Sequence, residues 1–278
     1  MASQIDHLVI IVRDLDMASE KASAAGFTVV PGGEHGSGLS HNALIAFQDG
    51  SYIELFAFLD PNAPTANPWW TRLWDGGGLV DYALLSHDLA AETAAIQARG
   101  VDFPEPRSLG RTRPDGERLE WHMATPERNG WPFLIQDETP RALRVPDETQ
   151  DVTHPNGAIG VAGVTIVVPD LEAARGDFAA ITGSDPLDIA APFPGVSHAL
   201  TMSAGTRQDQ WFCLIEPEPG LDEDTDEASI PARYLTRYGA GPFAITLRTS
   251  KSEGTSVAPG RGELIERDLL GGARVYLA

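Results

Sequence analysis

The sequence predicts an α+β fold built from repeated βαβββ modules, two modules to a domain. Three observations carry this. Runs rich in β-branched and aromatic residues recur in one order around Ala-rich stretches of helical character. Each helical stretch opens on an Asp followed by Leu, a side chain suited to capping a helix N-terminus. The register is constant: His7 lies seven residues before Asp14, Asp81 seven before Asp88, and Gly163 seven before Asp170. A repeat of this kind decides the fold before any single element does.

In the first module IDHLVIIVR (residues 5–13) reads as a largely buried strand, and LDMASEKASAAG as a helix from Asp14 to Gly26. FTVVPGG, NALIAF and SYIELFAF supply three strands, with the loop GGEHGSGLSH before the second and the turn QDG before the third. The second module repeats the order. LVDYALLSHDL is its strand and AAETAAIQARG its helix; VDFPEP, RLEWHMATP and WPFLIQD are the strands that follow, and RNG is a tight turn. A third copy starts at GVAGVTIVVPDLEAARGDFAAITG, with strands in DPLDIAA, SHALTMSA and QWFCLIEP. A fourth is reduced to GPFAITLRT and ARVYLA, because KSEGTSVAPGRG between them forms helix poorly. The Pro-rich, polar stretch around residues 141–157 reads as a linker between domains at 1–140 and 158–278, and EPEPGLDEDTDEAS as a solvated acidic loop.

Composition narrows the partners. The net charge of −20 argues against nucleic acid and anionic membranes, which need basic surface. No apolar run approaches the roughly 20 residues of a membrane span, and no signal-peptide pattern opens the chain. The lone Cys213 excludes an internal disulfide and fits a reducing cytoplasm, where the protein is expected. Only Lys21 and Lys251 are lysines among 20 basic residues. Acidity with scarce Lys suits a salt-adapted cytoplasm, and equally an acidic mesophile with an Arg-favouring genome. No phosphate loop, dinucleotide fingerprint, CxxC or Ser–His–Asp order is present, so no nucleotide cofactor is expected.

The segments IDHLVIIVRDLD, GFTVVPGGEHGSGLSHNALIAF and SYIELFAF, with HDLAAETAAIQARGVDF, RTRPDGERLEW and PFLIQD of the second copy, resemble the glyoxalase-like domain family of the vicinal oxygen chelate superfamily. The resemblance covers residues 5–138 well and the remainder as a degenerate repeat. It implies curled mixed sheets whose cup holds one divalent metal. It also implies His7 and Glu54 as ligands from the first module, with Asp81 and the position near Gln136 from the second. This set is oxygen-rich and suits Mg²⁺ or Mn²⁺, then Fe²⁺, better than a Cys-type Zn²⁺ site. The plain readings are that His7 is a satisfied core residue, that Asp81 caps a strand start and that Gln136 bonds to backbone. Gly163 and Cys213 at the third copy's ligand positions give it a structural role.

The loop brings His35, His41 and Asn42 toward the same cup, with His35 either a proton shuttle or a turn residue. Arg111, Arg113, Trp121 and His122 follow in RTRPDGERLEWH, where Arg113 is the preferred binder of a substrate carboxylate and Asp115 a plain turn residue. Trp69, Trp70 and Trp74 either cap an apolar pocket or cover the module junction. The leading function is a divalent-metal-dependent lyase, isomerase or dioxygenase acting on a small oxygenated molecule, with catalytic His35, Glu54 and Arg113. A metal-free protein that binds or sequesters a small molecule is the alternative. The partners expected are the small molecule and, in a homodimer, a second copy of the chain.

Overall fold

A computed structural model describes the whole chain except residues 1, 3, 114, 115 and 253, so Asp115 lies outside the described residues. The first module comprises Gln4–Ile11 (β1), Leu15–Ala24 (α1), Val30–Glu34 (β2), Ser40–Ala46 (β3) and Tyr52–Phe58 (β4). The second comprises Gly78–Leu85 (β5), Leu89–Ala98 (α2), Arg107–Thr112 (β6), Arg118–Ala124 (β7) and Phe133–Asp137 (β8). They form one eight-stranded mixed sheet in the order β2-β3-β4-β1-β5-β8-β7-β6. The segment VDFPEP is not a strand. Pro104 and Pro106 cannot donate to a ladder, and the strand begins one residue later, at Arg107.

The second half contains Ala158–Val167 (β9), Leu171–Thr182 (α3), Leu187–Ile189 (β10), Val196–Ser203 (β11) and Trp211–Pro217 (β12). Ile230–Tyr238 (α4) follows the acidic loop and leads into Gly241–Thr249 (β13), Glu263–Leu264 (β14) and Val275–Leu277 (β15). These strands form a seven-stranded sheet, β10-β11-β12-β9-β13-β15-β14. As its composition indicates, the stretch between β13 and β15 carries no α-helix. The helix α4, which the sequence reading does not anticipate, instead precedes β13.

Asp14, Asp88 and Asp170 are the equivalent helix caps: each carboxylate accepts the backbone N–H three residues on, from Met17, Ala91 and Ala173. A second device repeats with them. The β1–β5 ladder slips between Ile5 and His7, leaving Asp6 as an extra residue, and again opposite Val80. The β9–β13 ladder slips at Ala162 and at Phe243. A bulge therefore comes immediately before His7, Asp81, Gly163 and Ala244, the four equivalent positions, and re-aims the side chains around each.

One apolar core joins the sheets. Leu8, Ile10, Tyr82 and Leu84 face it from the first sheet, Val164, Ile166, Phe212 and Leu214 from the second. Alternation sends Val9, Ile11, Phe56 and Ala83 to the other face of the first sheet, where they line its cup. The second sheet's corresponding face is filled by Cys213, Phe243, Tyr276 and Trp211. The segment 141–157 packs against the first sheet through Val145 and Val152, which meet Leu44, Ala46 and Tyr52.

Candidate active site

Glu54 stands in the middle of β4, opposite Leu44 on β3 and Val9 on β1. Its carboxylate is the meeting point of the cup. The His35 Nε2 lies 3.1 Å from Oε1 and the Asn42 Nδ2 donates to the same oxygen at 2.7 Å. The His7 Nε2 faces Oε2 at 3.7 Å. Burial pushes the Glu54 carboxyl up, but the hydrogen bond and charge of His35, with His7 and Asn42, outweigh it and hold the group at about 2. Glu54 is therefore an anion at every pH near neutrality.

His7 is held from behind. Its Nδ1 lies 2.6 Å from Asp6 Oδ2, and its ring stacks on Tyr52 with centroids 4.6 Å apart. In a regular strand two successive side chains point to opposite faces; the bulge at Asp6 lets carboxylate and imidazole meet. Asp6 is fully buried and takes Arg141 at 2.5 Å and Arg144 at 3.0 Å. Burial would raise its carboxyl, yet Arg144, Arg141 and His7 together bring it well below the usual carboxylate range. An ionised Asp6 accepts the Nδ1–H of His7, which leaves the lone pair of the neutral ring on Nε2.

The end of β2 owes its path to two glycines. A Cβ on Gly32 would lie 2.0 Å from Asn42 Oδ1, and Gly33 has φ +115° with Arg111 Nη1 2.9 Å from where its Cβ would stand. Gly32→Ala is thus expected to displace Asn42 from Glu54 and to cost about 1–3 kcal/mol, read as a lower urea midpoint with an unchanged slope.

The cavity around these groups has a volume of about 180 Å³ and is otherwise apolar, walled by Phe56, Trp69, Trp121, Met123, Phe133 and Ile135. It is smaller than the roughly 300–1,000 Å³ of most ligand pockets, which limits its occupant to a small molecule. Arg111 lines it, donating to Glu34 O at 3.3 Å and Gly32 O at 3.1 Å; burial lowers its guanidinium from its ordinary value. Those bonds use two of five N–H groups, and the rest are available to an anionic oxygen.

Of the residues singled out from sequence, His7, His35, Asn42, Glu54, Trp69, Arg111 and Trp121 come together here. The others do not. Arg113 lies past the end of β6, its N–H bonded to Glu117 O and its Nη1 to Leu143 O, and Arg111 takes the place expected of it. His41, one residue from Asn42 on β3, faces away from the cavity. His122 pairs with Glu138 at 3.1 Å outside the cup.

The metal set expected from the resemblance does not assemble. His7 pairs with Ala83 and Val9 with Asp81, so a local two-fold relates His7 to Asp81. Val9 lies beside Glu54 and Ala83 beside Phe133, which puts Phe133, not Gln136, in the place of Glu54. A benzyl ring cannot ligate. Gln136 Oε1 accepts the Leu89 N–H at 2.6 Å and tethers the start of α2. Asp81 lines a different cavity, on the far side of Trp69 and Phe133. Among the described residues no three His, Cys, Asp or Glu are grouped to hold an ion. These residues do not fit the four-ligand centre.

Asp81 has its own signature. Burial raises its carboxyl to about 7, against hydrogen bonds from the Tyr82 N–H and the Trp69 side chain. Because the folded state keeps a proton that the unfolded chain releases, stability falls as pH rises from about 4 to about 7. Asp81→Asn removes this penalty. The variant is expected to gain on the order of 2 kcal/mol at pH 8 and almost nothing at pH 4 in parallel urea titrations, the full shift being discounted for partial exposure.

The fold and the cup place the chain among proteins of the vicinal oxygen chelate superfamily. A family model described as a glyoxalase-like domain matches residues 5–182, more than half of the chain, and the chain belongs to that family. No curated protein matches the sequence. Among solved structures, a hypothetical protein from Staphylococcus aureus superposes with a TM-score of 0.67 at 15% identity, over 99% of each chain. A mutant of 4-hydroxymandelate synthase from Streptomyces coelicolor superposes at 0.59 and 13% identity, over 89% of this chain and 71% of that one. BphC, a halotolerant catechol dioxygenase, gives 0.50 and 11% over 90% and 70%. At these identities the likeness is one of fold. No helix among the described residues is long and apolar enough to cross a membrane.

Proposed function

We propose that the cup of the first sheet binds a small oxygenated organic anion and moves a proton at a carbon next to its carbonyl, an isomerase- or lyase-type reaction. The observation that carries this reading is the line Arg144–Asp6–His7–Glu54, which aims one imidazole nitrogen into a small, apolar, buried cavity. His7 Nε2 is the base. It takes the proton, the C–H electron pair forms the carbon–carbon double bond of an enolate as the carbonyl π pair moves to oxygen, and Arg111 offers N–H groups to that oxygen. The imidazolium so formed lies between two carboxylates, Asp6 and Glu54, and their charge favours it. His35 and Asn42 hold Glu54 in place and ionised. Return of the proton from His7 to the same or a neighbouring carbon completes an isomerisation without any net redox change.

The reading is tested by incubating the protein with 2-oxo, 2-hydroxy and β-keto acids in D₂O and following exchange of the carbon-bound proton by NMR. Exchange of one class, undiminished by EDTA, supports it. Suppression by EDTA would instead support a metal-dependent enzyme, and tight binding of a class without exchange would support a sequestering protein.

A further inference from the structure

A second cavity, of about 660 Å³, lies between the segment Pro68–Asp75, the turn at residues 125–131 and the region from Tyr234 to Pro242. It is separated from the cup by Trp69 and Phe133, which line both. Asp81 lines it, at the position related by the local two-fold to His7. The Asp81 carboxylate accepts the Tyr82 N–H at 2.9 Å and a hydrogen bond from the Trp69 side chain. Among the described residues no Arg, Lys or His forms an ion pair with it. This is unlike Asp6 and the partly buried Asp137, both of which carry arginines.

Two of the three arginines that line the cavity are paired elsewhere, and the third, Arg72, forms no ion pair among the described residues and leaves its Nε without a partner. Arg128 pairs with Asp177 at 2.8 Å and lies over the ring of Trp131. Arg237 pairs with Asp75. Arg72 stacks 3.5 Å above the ring of Tyr238 and donates to Leu79 O. The cavity thus combines Asp81, which lacks a counter-ion among the described residues, and the exposed Glu127 with the aromatic walls Trp69, Trp131, Phe133 and Tyr234. A carboxylate in low dielectric calls for a positive partner, and ring faces attract a weakly hydrated cation more than a compact, strongly hydrated one. The carboxylates of Asp81 and Glu127 are too few oxygens for Mg²⁺ or Ca²⁺, which takes six or more.

We infer that this cavity is a second ligand site, which takes an organic ammonium ion with Asp81 as its counter-charge and the aromatic side chains as its walls. The site is independent of the chemistry proposed for the cup, and its ligand needs no carbonyl. The raised carboxyl of Asp81 agrees with this: in the empty cavity a proton supplies the missing positive charge, and the ligand displaces it. Trp69 bonds to Asp81 and also walls the cup, so its indole reports on occupancy.

The test is calorimetric titration of the full chain at pH 8 and constant ionic strength with benzyltrimethylammonium, benzyl alcohol and benzoate. The cation is expected to bind at least about tenfold more tightly than the alcohol or the anion, and about tenfold more weakly at pH 5. Asp81→Asn should lose about tenfold or more in affinity for the cation and leave the alcohol unaffected. That variant keeps the shape of the side chain and is expected to fold. Should it not fold, the preference of the unaltered protein for cation over anion decides. Equal affinity for benzoate, an unchanged Asp81→Asn, displacement of the cation by Mg²⁺ at matched ionic strength, or no binding at about 10 mM would each overturn the assignment.

Discussion

Asp6→Ala is expected to destabilise the protein by about 3 kcal/mol, the lower end of what removing one partner from a buried ion pair costs. Asp6 is fully buried, and Arg141, Arg144 and His7 all converge on it. Arg144 retains Asp137 at 2.6 Å, so its charge is not orphaned, which keeps the loss from reaching the upper end. Asp6→Asn preserves shape and is expected to cost less, about 1–3 kcal/mol, through its lost charge-assisted hydrogen bonds. The pH dependence has a definite sign. A carboxylate whose folded value is depressed stabilises above its unfolded value near 4 and loses that contribution as pH falls through the folded value. The unaltered protein should therefore lose stability steeply below about pH 4, and Asp6→Ala should show a shallower acid limb in urea titrations. Parallel acid limbs would place the stabilising charge elsewhere.

Glu54→Gln is expected to lower the proton-exchange rate by about 10²–10⁴ while leaving substrate affinity within a few-fold. The amide has nearly the same volume and still bonds to neighbours, so packing changes little. What it loses is the negative charge 3.7 Å from His7 Nε2, which stabilises the imidazolium only once the proton has moved. With the Glu54 carboxyl held at about 2, its ionisation should leave no inflection in the rate profile above pH 4. A Glu54→Gln variant that keeps full exchange while losing affinity would make Glu54 a ground-state binder instead.

The repeat was legible because its signals are local. An Asp before an Ala-rich stretch caps a helix wherever it occurs, and the seven-residue register follows from a strand of fixed length feeding that cap. The shared cup of His7 and Glu54 follows from the resemblance to the family and not from this register. The rest of the cup depends on features with no local signature. The bulge at Asp6 adds one residue that alternation cannot reveal, and it is what joins Asp6 to His7. Arg144 reaches Asp6 from a polar stretch 138 residues away, which read as a linker because it has no period. The position near Gln136 follows from the family resemblance alone, because the sequence does not show the pairing of its strand. The observed register shifts the equivalent of Glu54 by three residues to Phe133, and removes the oxygen ligand on which the expected metal set relied. Arg111 and Arg113 fall two apart, as residues on one face of a strand do; only the end of β6 at Thr112 separates them.

The account turns on which nitrogen of His7 faces the cup as the base. Long-range ¹⁵N–¹H correlation of the imidazole, recorded on the full chain across a pH titration, reads this directly. The neutral ring is expected to keep its proton on Nδ1, bound to Asp6, with the lone pair on Nε2; Asp6→Asn should weaken that preference. A neutral ring that keeps its proton on Nε2 would contradict the account, because the nitrogen facing the cavity would then have no lone pair with which to take a proton.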